Sequence, residues 1–565
     1  MDSVLRKIFP GALLLASVVG LVGVSFAQTT KATAVIAGRI IIGDGGAPGV
    51  EVIAVKQETG GGIVFSGQPT QTYNATTDTD GNYRITNVPA GSFRVTAYAP
   101  AHVTPGERNS FGPANSGKTV NLAEGETAEN VNFSLIRGGV ISGKLTDEDG
   151  RIVIEESVYT YKLDQNGKRA PNTGPVFSEW RTDDRGVYRI YGLEPGRYLV
   201  SAGASSEEAS IRIGSGGGFY RRTFHPEAAE EADAKIIEVR SGGEAENVDI
   251  RLARAAKGYV ATGRVIDGDT GKPIFGAMIG YGIVKDRGSS FGMGNSATNS
   301  LGEFRLEGLT PNTYTAYARL MTADNENYSE SVKFEVLGGD VSGLEIKMKR
   351  GAVISGLATV EGVRDPAVLA NLSKIYISAQ NLSNEPMVGI NGGNINANGT
   401  FKLGGLRPGK TRINAQLMGT VKGFSLLRVE HNGQILKEFE LNAGDQLTGV
   451  TLVFAYGTGS IFGRVEVKGG TLPPGSRMSV TARREGEETT GISSIRPVTV
   501  DARGQFLIEG LSAGNYKLVL IAYPQDFQPG YKPPRAEQNV SVAGDGRQEA
   551  SMVLDLSAQP KENDK

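Results

Sequence analysis

Alternating apolar and polar residues recur along this chain in short runs, separated by turns rich in glycine and proline. One pattern returns five times: Asp or Asn, two residues, Gly, then an aromatic and an aliphatic residue two positions apart, followed by a second turn. The copies start at Asp78, Asp183, Asn299, Asn396 and Asp501. Because successive copies are about one domain length apart, the pattern predicts one unit that is copied in tandem.

Each copy is predicted to form a strand, a turn and a second strand. In the first copy, Asp78 to Gly81 has the residues of a tight turn, and Tyr83 and Ile85 alternate with polar residues. Phe93 and Val95 alternate in the same way after the second turn. Every copy also has an opening segment around a glycine and an alternating closing segment; the opening glycines are Gly38, Gly143, Gly263, Gly356 and Gly463.

About seven short strands per copy, with no long helical window, predict an all-β fold. We expect five tandem Greek-key β-sandwiches of the immunoglobulin-like kind. Their predicted bounds are 28–137, 138–256, 257–350, 351–456 and 457–557. The second aromatic of the pattern is Tyr198, Tyr314 or Tyr516 but Thr411 in the fourth copy, which predicts a locally different core there.

Both ends of the chain differ from the repeats. Arg6 and Lys7 precede an apolar run from Ile8 to Val24, and small residues follow before Gln28. This order predicts a secretory signal peptide over residues 1–27. No later segment has the ~18 apolar residues of a spanning helix, so no membrane span is expected in the mature chain. Residues 558–565 are predicted to be a disordered tail.

Composition excludes several classes of function. The 565 residues include no cysteine, which rules out disulfides, thiolate catalysis and cysteine metal sites. The 59 basic and 61 acidic residues balance, so nothing indicates nucleic-acid binding. The joints between copies are too short to behave as flexible coils. They predict an extended, semi-rigid rod of roughly 150 Å.

The runs Thr77 to Ile85 and Val88 to Phe93, together with Gly263 to Asp267 and Gly271 to Ile274, resemble carboxypeptidase regulatory-like domains. The resemblance covers essentially the whole mature chain. It implies a transthyretin-like sandwich, in a family often grouped with carbohydrate-binding-like folds, and says little about function. True carboxypeptidases also carry a zinc peptidase domain with a His-x-x-Glu motif. None of His102, His225 and His431 lies in such a motif, so we expect no enzyme, no catalytic residues, no metal and no cofactor.

The second copy contains an insertion, Gly214 to His225, that the other copies lack. It brings aromatic and cationic residues together, and the chain's single tryptophan, Trp180, lies just before the second pattern. Such residues could bind a sugar or an anion; the possible ligand-binding residues are Phe219, Tyr220, Arg221, Arg222, His225 and Trp180. The favoured alternative is a loop whose aromatic residues pack against the sandwich.

Two acidic turns, Asp78 to Asn82 and Asp267 to Asp269, are candidates for calcium binding because their carboxylates are closely spaced. The other copies do not repeat the second acid, so ordinary solvated turns are favoured.

These patterns predict an exported, non-catalytic scaffold or spacer for protein or cell-surface interaction. The compartment would be the periplasm, the cell surface or the extracellular space, and the partner an unidentified protein or glycan. Two alternatives stay open: a carbohydrate-binding protein, and an accessory module of an envelope enzyme or transporter that binds through a strand edge.

Overall fold

The structure, a computed structural model, describes thirteen stretches of the chain: residues 32–57, 71–105, 117–169, 180–203, 220–253, 258–285, 288–322, 325–382, 391–417, 422–473, 475–485, 497–524 and 531–557. The predicted signal peptide and tail, and residues 214–219 of the insertion, lie outside these stretches. Within them the chain forms five β-sandwiches in succession, so the predicted fold class is confirmed. No helix in these stretches is both long and apolar enough to cross a membrane.

The first sandwich has one sheet in the order β2-β1-β10-β7, in which β5 and β9 also pair with β1, and a second sheet in the order β4-β3-β6-β8. Its strands are β1 Ala34–Ile42, β2 Gly45–Gly46, β3 Glu51–Lys56, β4 Thr72–Thr76, β5 Asn82–Val88, β6 Gly91–Tyr98, β7 His102–Val103, β8 Lys118–Leu122, β9 Thr127–Ala128 and β10 Phe133–Arg137.

The second sandwich has one sheet in the order β13-β11-β17, with β18 also on β11, and a second sheet in the order β12-β14-β15, with β16 also on β14. Its strands are β11 Gly139–Asp147, β12 Val158–Lys162, β13 Val187–Leu193, β14 Gly196–Ala202, β15 Thr223–Phe224, β16 Ile237–Val239, β17 Glu244–Ala245 and β18 Ile250–Leu252. A 3₁₀ turn covers Glu231–Asp233.

The third sandwich pairs its strands as β22-β19-β26-β24 and β21-β20-β23-β25. Its strands are β19 Tyr259–Asp267, β20 Met278–Lys285, β21 Gly288–Ala297, β22 Glu303–Leu309, β23 Asn312–Arg319, β24 Asn327–Ser329, β25 Val332–Val336 and β26 Val341–Arg350.

The fourth sandwich pairs its strands as β30-β27-β35-β32-β33 and β29-β28-β31-β34. Its elements are β27 Ala352–Val360, helix α1 Pro366–Leu369, a 3₁₀ turn Ala370–Lys374, β28 Ile375–Asn381, β29 Asn391–Asn394, β30 Thr400–Leu406, β31 Gly409–Leu417, β32 Phe424–His431, β33 Gln434–Ile435, β34 Phe439–Leu441 and β35 Gln446–Tyr456. The core differs as predicted: Thr411 is buried where other copies have tyrosine, and Leu372 of the 3₁₀ turn joins the core.

The fifth sandwich pairs its strands as β39-β36-β42 and β38-β37-β40-β41. Its strands are β36 Gly459–Lys468, β37 Arg477–Arg484, β38 Val498–Thr499, β39 Gln505–Leu511, β40 Gly514–Tyr523, β41 Arg535–Val542 and β42 Arg547–Asp555.

All five sandwiches share one plan. The opening strand lies between the pattern strand, which runs antiparallel to it, and the closing strand, which runs parallel; in the fifth sandwich these are β36, β39 and β42. The strand that follows the second turn belongs to the opposite sheet. The repeated strand-turn-strand unit therefore crosses from one sheet to the other and closes the sandwich around its core.

Each opening glycine lies directly opposite the first aromatic residue of its pattern. The pairs are Gly38 with Tyr83, Gly143 with Tyr188, Gly263 with Phe304, Gly356 with Phe401 and Gly463 with Phe506. A Cβ added at Gly356 would lie 1.7 Å from the carbonyl oxygen of Val450 in the closing strand, and one added at Gly463 would lie 2.0 Å from the Phe506 ring. Glycine is needed because backbone and ring both approach this position closely.

A second conserved contact joins consecutive sandwiches. The linker glycines Gly138, Gly351 and Gly457 donate their backbone N–H to a carbonyl of the preceding sandwich, at 2.8, 2.8 and 3.0 Å. Each acceptor lies beside or at the start of an extra strand, β7, β24 or β32, that pairs with the closing strand. These joints are packed, because a Cβ on Gly405 of the fourth sandwich would lie 2.6 Å from the Asn327 carbonyl oxygen of the third, and one on Gly510 of the fifth would lie 2.7 Å from the Gly423 backbone nitrogen of the fourth.

We predict that Gly356→Ala destabilises the fourth sandwich by about 1–3 kcal/mol or more, because its Cβ has no space beneath the closing strand. Gly393→Ala is the matched control, since nothing lies within 4 Å of a Cβ there in the same sandwich. Hydrogen exchange of the β27 and β30 amides measures the loss, with the other sandwiches as internal references. Equal protection in both variants would contradict the packing argument.

The tyrosines opposite Gly38 and Gly143 give an expected pH dependence. The hydroxyls of Tyr83 and Tyr188 donate to the carbonyl oxygens of Val131 and Val248, and burial raises the pKa of both phenols above the ordinary 10.0. Their contribution to stability is therefore complete below the unfolded pKa of about 10 and is lost as pH rises through the folded pKa values.

For the double variant Tyr83→Phe, Tyr188→Phe, the free energy of unfolding should fall by about 1 kcal/mol per lost hydrogen bond near neutral pH. It should also show a shallower decline in the melting temperature of the first two sandwiches as pH rises past about 10. Calorimetry over this range tests both points. The third sandwich already has Phe304 at this position, so its unfolding transition should be unchanged. If the melting temperatures of the first two sandwiches still declined as steeply at alkaline pH, the two tyrosine hydroxyls would not be the cause of the decline.

Candidate functional site

The fifth copy of the repeated turn contacts the first sandwich. As in other copies, one carboxylate oxygen organises the turn: Asp501 Oδ1 accepts from the backbone N–H groups of Arg503 and Gln505, both at 2.9 Å. The other oxygen, Oδ2, accepts from the backbone N–H of Asn121 in β8 at 3.1 Å and from the Arg503 guanidinium at 2.9 Å. A residue whose counterparts only form a turn therefore also binds another sandwich.

Asn121 is the central residue on the side of the first sandwich. Its side-chain amide donates to the carbonyl oxygens of Thr499 at 3.1 Å and Gln505 at 2.9 Å. Its own carbonyl accepts from the Arg503 guanidinium at 2.7 Å. Asn121 is 1% exposed, and the carboxylate of Asp501 is equally buried, so both groups are removed from water by this contact.

Glu126 completes the contact. Its Oε1 accepts from the Arg503 guanidinium at 2.8 Å and from the Gln505 amide at 3.2 Å, and its Oε2 accepts from the backbone N–H of Ala123 at 2.8 Å. We call Asn121, Glu126, Asp501, Arg503 and Gln505 the clasp. Because Arg503 joins two carboxylates and a carbonyl in a partly buried position, its hydrogen bonds are of the strong, charge-assisted kind.

The clasp is not fully satisfied. Among the described residues, no hydrogen-bond donor reaches Asn121 Oδ1 or Gln505 Oε1, although both atoms are buried. A buried polar atom without a partner costs about 1–3 kcal/mol. The net stabilisation from the clasp is therefore smaller than the number of its hydrogen bonds suggests.

The strand register shows which residues of other copies correspond to Asn121. Asn121 pairs with the residue after the second-turn glycine, Gly91. The residues in the same register elsewhere are Glu238, Glu335, Glu440 and Ser541. A glutamate here would bring a second carboxylate against Asp501. Among these five register positions, only that of the first sandwich carries the asparagine that the clasp uses.

The pattern strand of the fifth sandwich differs in a matching way. Six residues into the pattern, the first four copies have Arg84, Arg189, Arg305 and Lys402, and the fifth has Leu507. Leu507 is only 6% exposed, although it lies outside the core cluster of its sandwich. Its strand, β39, contacts β8. Both sides of the clasp thus carry residues that the other copies lack.

This contact corrects the prediction of an extended rod, which is wrong. The joints are short and packed as expected, but residues about 380 positions apart are hydrogen-bonded, so the first and fifth sandwiches cannot lie at opposite ends. The chain closes on itself. A short, rigid joint limits flexibility but does not specify the angle between the two sandwiches that it connects.

The ligand-binding residues predicted from the insertion lie in separate environments. Trp180 and Tyr220 pack, half-buried, against the core of the second sandwich, and the ring centroids of Trp180 and Tyr191 are 4.6 Å apart in an edge-to-face arrangement. His225 is buried, with its Nδ1 2.6 Å from the carbonyl oxygen of Asp249. Phe219 lies outside the described residues.

The two arginines of the insertion point to different groups. The Arg221 side chain is exposed and lies 3.9 Å from the Glu230 carboxylate, while its backbone N–H donates to Ala253 at 3.1 Å. The Arg222 guanidinium is 5.9 Å from the Tyr159 ring. Glycan or anion binding by these residues stays a prediction.

The insertion leads into an additional layer on the second sandwich. Phe224 packs with Tyr161 and Leu199 on the outer side of the sheet formed by β12 and β14. The Arg169 guanidinium lies 3.8 Å from the centre of the Tyr161 ring and pairs with Glu231 at 2.6 Å. The aromatic residues here form a small secondary core.

A small cavity of about 60 Å³ lies between the third and fourth sandwiches. Arg407 crosses this joint and donates to the carbonyl oxygen of Ser329 at 2.5 Å, and Lys402 pairs with Glu326 at 2.7 Å. A cavity of this size holds only a few water molecules. Its lining includes Arg407, whose hydrogen bond crosses the joint.

The acidic turns have the geometry of ordinary turns. Asp78 Oδ1 accepts from the backbone N–H groups of Asp80 at 2.9 Å and Asn82 at 2.8 Å, and the hydrogen bond from Asn82 lowers the Asp78 pKa. In the second turn, hydrogen bonds from Thr270 lower the pKa of Asp267. Within the described stretches, no group of three or more His, Asp or Glu residues is placed to hold a metal ion.

Comparison with known proteins supports the resemblance noted in the sequence. Residues 35–136 match the carboxypeptidase regulatory-like domain. The first sandwich matches this family, which confirms the expected resemblance for that part of the chain. No curated protein matches the chain.

Several solved structures are similar to this chain at low identity. A streptococcal ancillary pilin is 12% identical, with 56% of this chain and 99% of that chain covered and a TM-score of 0.24. The Bacillus anthracis TIE protein is 13% identical over 76% and 75% of the two chains, with a TM-score of 0.15. The major pilin subunit BcpA of Bacillus cereus is 12% identical over 53% and 100%, with a TM-score of 0.14. No functional conclusion follows at these scores.

We predict that Asn121→Glu opens the chain. The substitution installs the residue of sandwiches two to four, removes the two amide hydrogen bonds and places a carboxylate against Asp501. Solution X-ray scattering should show a larger radius of gyration and a larger maximum dimension than for the parent protein.

The control for this variant is Glu238→Asn, the reverse exchange at the equivalent exposed position of the second sandwich. It should leave the scattering profile unchanged. If the parent protein and Asn121→Glu scatter alike, the clasp does not hold the chain closed in solution.

Proposed function

We propose that this protein is an exported, non-catalytic scaffold that presents its sandwiches to a protein or glycan partner of the cell envelope in a fixed spatial arrangement. The observation that carries this proposal is the packed glycine joint, repeated between sandwiches in the same form. A chain built only to connect two points would need no such joint. Packed joints make sense where the orientation of each domain matters.

Ion pairs across the joints add to this support. Glu326 of the third sandwich pairs with Lys402 of the fourth at 2.7 Å, and Lys422 of the fourth pairs with Glu509 of the fifth at 2.9 Å. The second pair is largely shielded from water on both sides, so its attraction is screened less than that of an exposed pair. Both pairs restrain rotation about the linker.

The clasp adds a further restraint, since it ties the last sandwich to the first. Four joints in series would each contribute some angular freedom, and their sum would spread the distance between the two ends. A contact between those ends removes most of that spread. The proposed function thus rests on joints that orient neighbours and a clasp that orients the whole. Export, the compartment and the two alternatives named above remain predictions from the sequence.

The absence of cysteine makes this proposal directly testable. Spin labels on Leu337→Cys and Ile435→Cys, two exposed positions in the third and fourth sandwiches, report the distance across one joint. We expect a single narrow distance distribution. A broad distribution would mean that the sandwiches rotate freely and that the chain does not act as an orienting scaffold.

Gly405→Asn is the matched perturbation for the same pair of labels. Gly405 has a left-handed backbone (φ 65°), which Asn87 also adopts at the equivalent position of the first sandwich (φ 59°). The fourth sandwich should therefore fold with asparagine at this position, but the added Cβ would lie 2.6 Å from the Asn327 carbonyl oxygen across the joint. The distance distribution should shift or broaden, without loss of hydrogen-exchange protection in either sandwich.

A further inference from the structure

The clasp consists of two unlike surfaces on one chain. The first sandwich supplies Asn121 and Glu126, and the fifth supplies Asp501, Arg503 and Gln505. Each surface is complementary to the other and not to itself. A contact of this kind between separate molecules is heterologous, and it leaves one surface of each type free at the two ends of a pair.

Nothing in the local chain ties these surfaces together. They lie about 380 residues apart in sequence, and hydrogen bonds and ion pairs join them. The same atoms would be satisfied equally well if the fifth sandwich came from another molecule.

The copy-specific residues decide which sandwich can serve as the partner. Glu238, Glu335 and Glu440 stand in the register of Asn121 and would repel Asp501. Ser541 of the fifth sandwich lacks the amide that bonds two carbonyls. The first sandwich of a second copy is therefore the one that fits.

We propose that the clasp surfaces also join separate molecules head to tail, with the fifth sandwich of one copy docked on β8 of the next. Closure within one molecule competes with this pairing, because the two surfaces of one chain are held near each other by the intervening sandwiches. Pairing between molecules dominates where copies are crowded or where closure within the molecule is blocked. This pairing goes beyond the proposed scaffold function and depends only on the clasp.

Two full-length variants separate the two modes. Asn121→Glu disables the surface of the first sandwich and keeps the fifth intact. The double variant Arg503→Asn, Leu507→Lys gives the fifth sandwich the residues of the fourth, Asn398 and Lys402, and keeps the first intact. Neither variant can close, and neither can pair with itself through the clasp. Mixed together, they retain one intact pair of surfaces.

We expect analytical ultracentrifugation to show each variant alone as a monomer and their equimolar mixture as a concentration-dependent one-to-one dimer. The dimer should weaken as salt increases, because Arg503 and Glu126 form an ion pair in the contact. Hydrogen exchange of β8 and β39 confirms that both variants are folded and reports protection of both strands in the mixture.

Two results would overturn the proposal. One is a mixture that stays monomeric at every concentration up to the millimolar range while both variants are folded. The other is a dimer of equal strength in either variant alone, since this would place the association on another surface. The scaffold function is tested separately by the label distances within one molecule, so the two proposals can fail independently.

Discussion

The contact between the opening glycine and the pattern aromatic is the constraint on which each sandwich depends. The glycine lets the closing strand and the aromatic ring approach one point of the opening strand, where a Cβ at Gly356 would lie 1.7 Å from a carbonyl oxygen. Three segments far apart in the sequence are thereby held in one register. Since the pattern strand then crosses to the other sheet, the same contact also determines how the two sheets face each other.

The joints use glycine for a related purpose on a larger scale. Second-turn glycines such as Gly405 and Gly510 lie against backbone of the preceding sandwich, so no side chain separates the two domains there. Close packing of backbone against backbone leaves few alternative angles. The first copy has no described sandwich before it, and there Asn87 adopts the left-handed backbone in place of glycine. The turn needs the backbone conformation, and the joint adds the need for a small residue.

Specific interaction arises where the copies differ. The fifth turn keeps the hydrogen bonds of the other turns through Asp501 Oδ1 and uses Oδ2 for the first sandwich. The exchange of a basic residue for Leu507 and of a glutamate for Asn121 suits each surface to the other. A repeated scaffold thus gains a selective contact from a few substitutions, and no change of fold is needed. The insertion in the second sandwich, the most conspicuous difference in the sequence, mainly adds a covering layer in its described part.

The sequence by itself determined the strands, the turns, the repeat and the all-β class, because alternation of apolar residues and the turn preferences of Asp, Asn and Gly act over a few residues. Aligning the copies also exposes Leu507 among cations and Asn121 among glutamates, which is the available signal for the clasp. Only the tertiary structure decided that these two positions meet and that the chain closes instead of extending. The angle at each joint comes from packing between domains, and these angles together bring residues about 380 positions apart into a contact that no local pattern encodes.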